Sequence, residues 1–132
     1  MGVTVLLVFF VRRAGLLPGG EERFDPADYQ DVVWLMADEA GMHVGERVVV
    51  CGTVVSTTFA RETGGQPTYL NFEYPYPDQP FDAVIWGRHR DRFPTPPETL
   101  YRGRSICVAG QVTTHRGVPR IEVSTPDQIE SR

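Results

Sequence analysis

The stretch Arg47-Val48-Val49-Val50-Cys51-Gly52-Thr53-Val54-Val55-Ser56-Thr57-Thr58-Phe59 decides how this chain is read. It is dense in β-branched residues, which pack well on a pleated surface and favour strands. At thirteen residues it is far longer than an ordinary strand of about 5–6. Val48, Val50 and Val54 share one parity, and Val49, Cys51, Thr53 and Val55 share the other, so both faces carry apolar side chains. Gly52 stands inside the run, where a glycine marks a bulge or sharp bend. A long strand bent at a glycine can serve two sheets at once, as a small closed barrel requires.

Working toward the C-terminus, Arg61 to Pro67 (RETGGQP) is a turn-rich loop and Thr68 to Glu73 a second strand. Tyr74 to Pro80 (YPYPDQP) is a stiff connection, and Phe81 to Trp86 a third strand. Pro94, Pro96 and Pro97 limit residues 88–101 to short helical pieces. Ser105 to Thr114 is a fourth strand, His115 to Val118 a tight turn around Arg116-Gly117, and Pro119 to Ser124 a fifth strand. Three strands, a helical connection and a closing hairpin predict an all-β fold: a five-stranded Greek-key OB-fold barrel with a short helical connection between strands 3 and 4. A sandwich would need about seven strands.

Toward the N-terminus, a helix is expected over 25–41. Asp25 suits the N-cap, Pro26 the first turn and Gly41 the stop. Tyr29, Val32, Val33, Met36, Ala37 and Ala40 recur at helical spacing. Residues 1–24 read as an extension, with an apolar run Val5 to Val11 and then a linker. That run is either a signal remnant or part of the fold, and it is too short for a membrane span, which needs about 20 residues. The domain is therefore placed at 25–132.

Proline and glycine total 24 of 132 residues, which fits short elements joined by turns. Residues 1–46 hold three Arg against eight acids, so the net charge of −4 sits mainly in the first third. A nearly neutral remainder is no polyanion magnet, so nucleic-acid binding would rest on local patches. The sequence has no Gly-rich phosphate loop, no G-x-S-x-G and no H-E-x-x-H. Neither a metal-ligand spacing nor a cofactor motif stands out, and a non-enzymatic module is expected.

Specific residues between Glu39 and Glu130 resemble the small bacterial OB-fold nucleic-acid-binding domain proteins. They include Val50-Cys51-Gly52-Thr53-Val54, Pro67-Thr68-Tyr69-Leu70-Asn71-Phe72, Val84-Ile85-Trp86-Gly87, Ile106-Cys107-Val108-Ala109-Gly110-Gln111-Val112 and Arg116-Gly117-Val118-Pro119-Arg120-Ile121. The resemblance implies single-stranded DNA or RNA as partner, bound with low sequence specificity. The alternative is a protein-interaction or envelope accessory domain with a protein partner.

OB-folds stack bases on aromatics of strands two and three and clamp the backbone with the first and last hairpin loops. Parity sends Leu70, Phe72, Phe81, Ala83 and Ile85 inward, and Tyr69, Asn71 and Trp86 outward. Tyr69 and Trp86 become the expected stacking pair, and Arg61, Arg116 and Arg120 the expected phosphate contacts. Glu62, Glu73, Asp78 and Asp82 fall near the same face and would oppose a polyanion. The run Arg88, His89, Arg90 and Arg92 belongs to the far end, as solvated surface.

In such a barrel strands one and four are neighbours. Cys51 and Cys107 both have the outer parity, so two readings stand open: a cross-strand disulfide, or two free, half-buried thiols. A bridge would imply an exported protein; without it, a cytoplasmic location is equally consistent.

Overall fold

The strand Arg47–Phe59 joins two ladders, as its length and its internal glycine demand. The computed structural model describes residues 32–132. Its strands are β1 (Trp34–Met36), β2 (Arg47–Phe59), β3 (Thr68–Phe72), β4 (Asp82–Ile85), β5 (Ser105–His115), β6 (Val118–Glu122) and β7 (Ile129–Ser131). Residues 47–53 of β2 pair antiparallel with β5, and residues 54–59 with β3. β3 pairs with β4, β4 runs parallel to β6, and β6 returns antiparallel to β5. The pairings therefore close into a barrel-like, all-β ring.

The change of partner in β2 comes one residue after Gly52, between Thr53 and Val54, and the β2–β3 register slips between Val54 and Ser56. A Cβ on Gly52 would lie 2.7 Å from Glu73 Oε1 and 3.0 Å from the Phe72 ring, so only glycine lets the end of β3 press onto the bend. β5 repeats the device. It leaves β2 after Gln111 and pairs with β6 from Val112, and a Cβ on Gly110 would stand 2.7 Å from Ile121 Cγ2.

Inside the ring, Val48, Val50 and Val54 meet Leu70, Phe72, Phe81, Ala83, Ile85, Ile106, Val108, Val112, Ile121 and Val123. Phe72 and Phe81 pack edge to face at 5.0 Å. Phe93 and Tyr101 extend this core from the connection after β4, which holds a 3-10 segment (Gly87–Arg92) and one helical turn (Pro97–Leu100). Burial pushes the Tyr101 hydroxyl up to about 12.

Two expectations need correction. The helix predicted over 25–41 is absent from its described part. Residues 34–36 form β1, and Ala37–His43 form a 3-10 segment. The helical stripe fails because Val33 and Met36 are exposed, whereas Leu35, between Trp34 and Met36, is buried at 6% exposure. That is the period of two of a strand. Residues 49–51 of β2 already bond β5 on one edge, and β1 satisfies the other edge in parallel register, Leu35 against Val50. The start of that helix and the extension 1–24 lie outside the described residues. The second correction concerns strand number: β1 and β7 are added to the expected five, β7 covering the edge of β5 opposite β2 at 106–108.

Cys51 and Cys107 are directly opposed on β2 and β5 and are joined in a disulfide. Cys107 is fully buried with Val49 and Ala109 in a small cluster outside the main core, with Val32 packed against it. The bridge ties the ring at its β2–β5 seam across a sequence separation of 56. Chain-entropy arithmetic for that loop gives about 4 kcal/mol. Replacing both cysteines (Cys51→Ser with Cys107→Ser) is expected to lower the urea-derived unfolding free energy by about 2–4 kcal/mol. Unchanged stability would show that the seam is held by its hydrogen bonds alone.

The basic run 88–92 lies not at the far end but at the end of the ring that carries the β2–β3 loop, because β4 runs antiparallel to β3 and ends beside its start: the Arg90 guanidinium donates to Thr68 Oγ1 and, at 2.8 Å, to Glu98 Oε1, and stacks 3.6 Å above the centroid of the Phe59 ring. The basic run 88–92 thus supplies a structural clamp as well as surface charge. Burial raises the Glu98 pKa, but hydrogen bonding and charge from Arg90 outweigh it, and the carboxyl lies below its ordinary 4.5. A depressed acid stabilises the fold above its unfolded pKa and loses that contribution as pH falls through the folded value. Stability of the native protein should therefore decline below about pH 4.5, and Glu98→Gln should lower it at neutral pH while flattening that decline. Parallel urea titrations at pH 7 and pH 3.5 measure both.

Candidate functional site

The outer face of β3, β4 and β6 carries a polar row that the register alone defines. Ser56, Asn71, Asp82, Arg120 and Thr113 are successive cross-strand partners from β2 around to β5. Side-chain hydrogen bonds join three of its four neighbouring pairs. Asn71 Nδ2 donates to Ser56 Oγ at 3.0 Å. Arg120 Nε and Nη2 donate to the two Asp82 oxygens at 2.7 and 3.1 Å. Thr113 Oγ1 donates to the Arg120 carbonyl at 3.4 Å.

The centre of this row is shielded from water: Asn71 and Asp82 are each 2% exposed and Arg120 6%. Burial alone would lower the Arg120 pKa, but the hydrogen bond and charge of Asp82 outweigh it and hold the guanidinium above its ordinary value. A bidentate pair of this kind is geometrically specific and costly to break from one side.

Above the row lies a groove of roughly 590 Å³, walled by three connections. Thr63 and Gly64 come from the β2–β3 loop, Tyr76, Pro77 and Gln79 from the β3–β4 connection, His115 from the end of β5 and Arg116 from the β5–β6 turn. Tyr69, Asn71, Trp86, Arg116 and Arg120 all line it, so five of the six sequence-selected binding residues share one concavity.

Each sits differently. Tyr69 is half-buried, with the Arg120 guanidinium 5.3 Å from its ring centroid. Trp86 is also half-buried: its Nε1 donates to Glu122 Oε1 at 3.1 Å, and a Cβ on Gly65 would stand 3.0 Å from its ring. The β2–β3 loop thus covers part of the indole, an arrangement fixed by the Gly87 N–H donating to the Gly65 carbonyl at 2.9 Å. Arg116 is exposed in a two-residue turn with Gly117, both at positive φ (51° and 82°), as a tight hairpin of matching twist requires. Arg61 is exposed but lies outside the groove lining, 5.4 Å from the Phe59 ring. Arg120 is no free hairpin cation; it is neutralised by Asp82.

The acidic residues also change meaning. Asp82 is paired, and Glu73 Oε1 accepts the Thr53 N–H at 2.8 Å on the β2 side. Glu62 and Asp78 remain exposed. Among the groove residues that escaped the sequence reading, Tyr76 and Gln79 stand out. Tyr76 is 71% exposed at the rim, and Gln79 is 6% exposed in the wall. The signal for Tyr76 was present in YPYPDQP, where prolines restrict the backbone around each tyrosine. Nothing local marked Gln79, whose burial depends on β4.

No family model and no curated protein matches this chain. Among solved structures it is similar to a chain assigned as an aspartyl-tRNA synthetase of Leishmania major Friedlin, at 13% identity and a TM-score of 0.46. The match covers 99% of this chain and 26% of the other, so the chain spans about a quarter of that neighbour's length. Likeness at this level carries no weight for function.

The Asp82–Arg120 pair generates a stability prediction. Asp82→Ala or Arg120→Ala alone should cost about 3–5 kcal/mol, because each strands a buried charge. The double variant Asp82→Leu with Arg120→Met should recover most of that loss. Urea unfolding of the three proteins measures it; single-variant losses under about 1 kcal/mol would mean that water reaches the pair.

Proposed function

We propose that this protein is an OB-fold module that binds single-stranded nucleic acid along the outer face of β3, β4 and β6, without catalysis. The parallel β4–β6 pair in an otherwise antiparallel five-strand ring, and the helical connection between β4 and β5, support the OB-fold reading. The observation that carries the functional reading is the convergence of Tyr69, Trp86, Tyr76 and Arg116 on one groove between loops. Aromatic faces accept bases of any sequence, and an exposed Arg meets phosphate.

The electrostatic component is small on this reading. With Arg120 neutralised, Arg116 and Arg61 are the two exposed cations proposed to meet phosphates. Affinity then rests mainly on stacking, and the module suits single strands already held nearby or present at high local concentration. The disulfide supports an exported setting. A protein-interaction role has its own support, in Val33, Trp34 and Met36, which are 46%, 38% and 54% exposed at β1.

Fluorescence anisotropy with a labelled single-stranded oligonucleotide tests the proposal. The logarithm of the binding constant should fall with log salt at a slope of about −1.4, from about −0.7 for each of two phosphates. Tyr76→Ala and Tyr69→Ala should each weaken binding by about 1–3 kcal/mol without unfolding the protein. Absence of binding at any salt, with the β1 variant Trp34→Ala losing a protein partner instead, would favour the interaction role.

A further inference from the structure

On the outer face of the sheet β1–β2–β5–β7, the two sulfurs of the disulfide differ in access and in charge environment. Cys107 is fully buried, whereas Cys51 is half-buried beside its register partner Met36, which is 54% exposed on the edge strand β1. Whatever solvent contact the bridge has therefore belongs to Cys51. β1 and β7 flank this sheet on opposite edges, three strand spacings or about 14 Å apart. Trp34 and Arg132 nevertheless meet above it, with the guanidinium carbon 5.3 Å from the centroid of the Trp34 ring. Arg132 passes over Cys107 on the way, and its Nε donates to Sγ at 3.1 Å. A disulfide sulfur carries no charge, so this hydrogen bond is weak while the bridge is closed. It becomes charge-assisted once that sulfur is a thiolate. Glu130, opposite Cys107 in the ladder, shares the same Nε at 3.4 Å and sets a negative charge against that thiolate.

From this we propose that the bridge is a thiol-exchange site: a small-molecule thiolate attacks Cys51 Sγ, and Cys107 leaves as a thiolate held by Arg132. The incoming sulfur bonds to Cys51 as the Cys51–Cys107 bond breaks, and the electron pair of that bond stays on Cys107. A second thiolate then attacks the incoming sulfur, forms the small-molecule disulfide and releases Cys51 as a thiolate. The thiols are oxidised, the protein gains two electrons, and the cysteine thiolates equilibrate with solvent protons. Exchange is faster at a sulfur that can be reached, and faster when the departing thiol has the lower pKa; both conditions select the same direction here. A half-buried site in the flat of a sheet, roofed by Trp34 and Arg132, has room for a slender thiol, which sets the class of reactant. The site lies away from the groove and is independent of the single-strand reading. Opening it would leave the β2–β5 seam to its hydrogen bonds.

The test incubates the folded full chain with excess glutathione, quenches in acid, unfolds, labels free thiols with a maleimide and maps both cysteines by mass spectrometry. The first adduct is expected on Cys51, about tenfold or more over Cys107, with Cys107 recovered as the labelled thiol. The rate should rise in proportion to glutathione. Arg132→Gln should slow the step by about threefold or more, Arg132→Lys should stay within about twofold of native, and Glu130→Gln should speed it by removing the opposing charge. Loosening of β7 alone would speed every variant, so the opposite signs separate charge from access. Circular dichroism and urea midpoints of the oxidised proteins report folding; if Arg132→Gln does not fold, the mapped adduct and the Glu130→Gln rate decide. Glutathione on Cys107, or equally on both cysteines, would overturn the assigned direction. A rate independent of glutathione would mean that reduction waits on unfolding, and would overturn the site. If recapture by Cys107 keeps the adduct too scarce to map, rates of full reduction by dithiothreitol decide: Glu130→Gln above native above Arg132→Gln upholds the proposal, and any other order overturns it.

Discussion

The structure depends on β2 belonging to two ladders. A five-strand ring closes only if some strand bends enough to pair with β5 along one half and β3 along the other. The bend requires a residue without a side chain where β3 turns back, and Gly52 fills that place with Glu73 and Phe72 against it. Gly110 makes the matching bend in β5 against Ile121. Closure then places Leu70, Ala83, Ile121 and Val112 in one inward row and Asn71, Asp82, Arg120 and Thr113 in the adjacent outward row. Core and groove floor are two sides of a single register.

The outward row is unusual in being buried on its own side. Asp82 and Arg120 neutralise each other beneath the groove, so a feature that suggested repulsion of a polyanion and one that suggested attraction cancel within one bidentate contact. What remains exposed along the groove is aromatic surface and a turn arginine. On the single-strand reading proposed above, such a surface favours contacts to bases over contacts to phosphate.

Much of this was legible in the sequence. The alternation in Arg47–Phe59 located the long strand, and the parity of Leu70 and Phe72 against Tyr69 and Asn71 assigned the faces, because period two survives any detail of packing. The opposed cysteines followed from the same parity once β2 and β5 were neighbours. Residues 34–36 misled because Val32, Val33 and Met36 also fit a helical period; an unfilled edge of β2 decided the matter, and edges are invisible in one dimension. Arg120 misled for a related reason. Its distance from Asp82 in sequence, and the parallel pairing that brings them together, cannot be read from local composition. Gln79 carried no signal because its burial is conferred by strands on either side of its loop.

The Cys51–Cys107 link also shapes how the molecule would carry load. β3 and β4, which hold most of the groove floor, lie within the chain enclosed by that bond, whereas β1, β6 and β7 lie outside it. Tension applied at the chain ends passes through the sulfur bridge and bypasses the enclosed segment. At about 3.4 Å per residue, a separation of 56 conceals about 190 Å of contour length until the bond is reduced. A molecule tethered by its ends would therefore yield its outer strands first, and β3 and β4 would be shunted out of the force path as long as the cysteines stay oxidised.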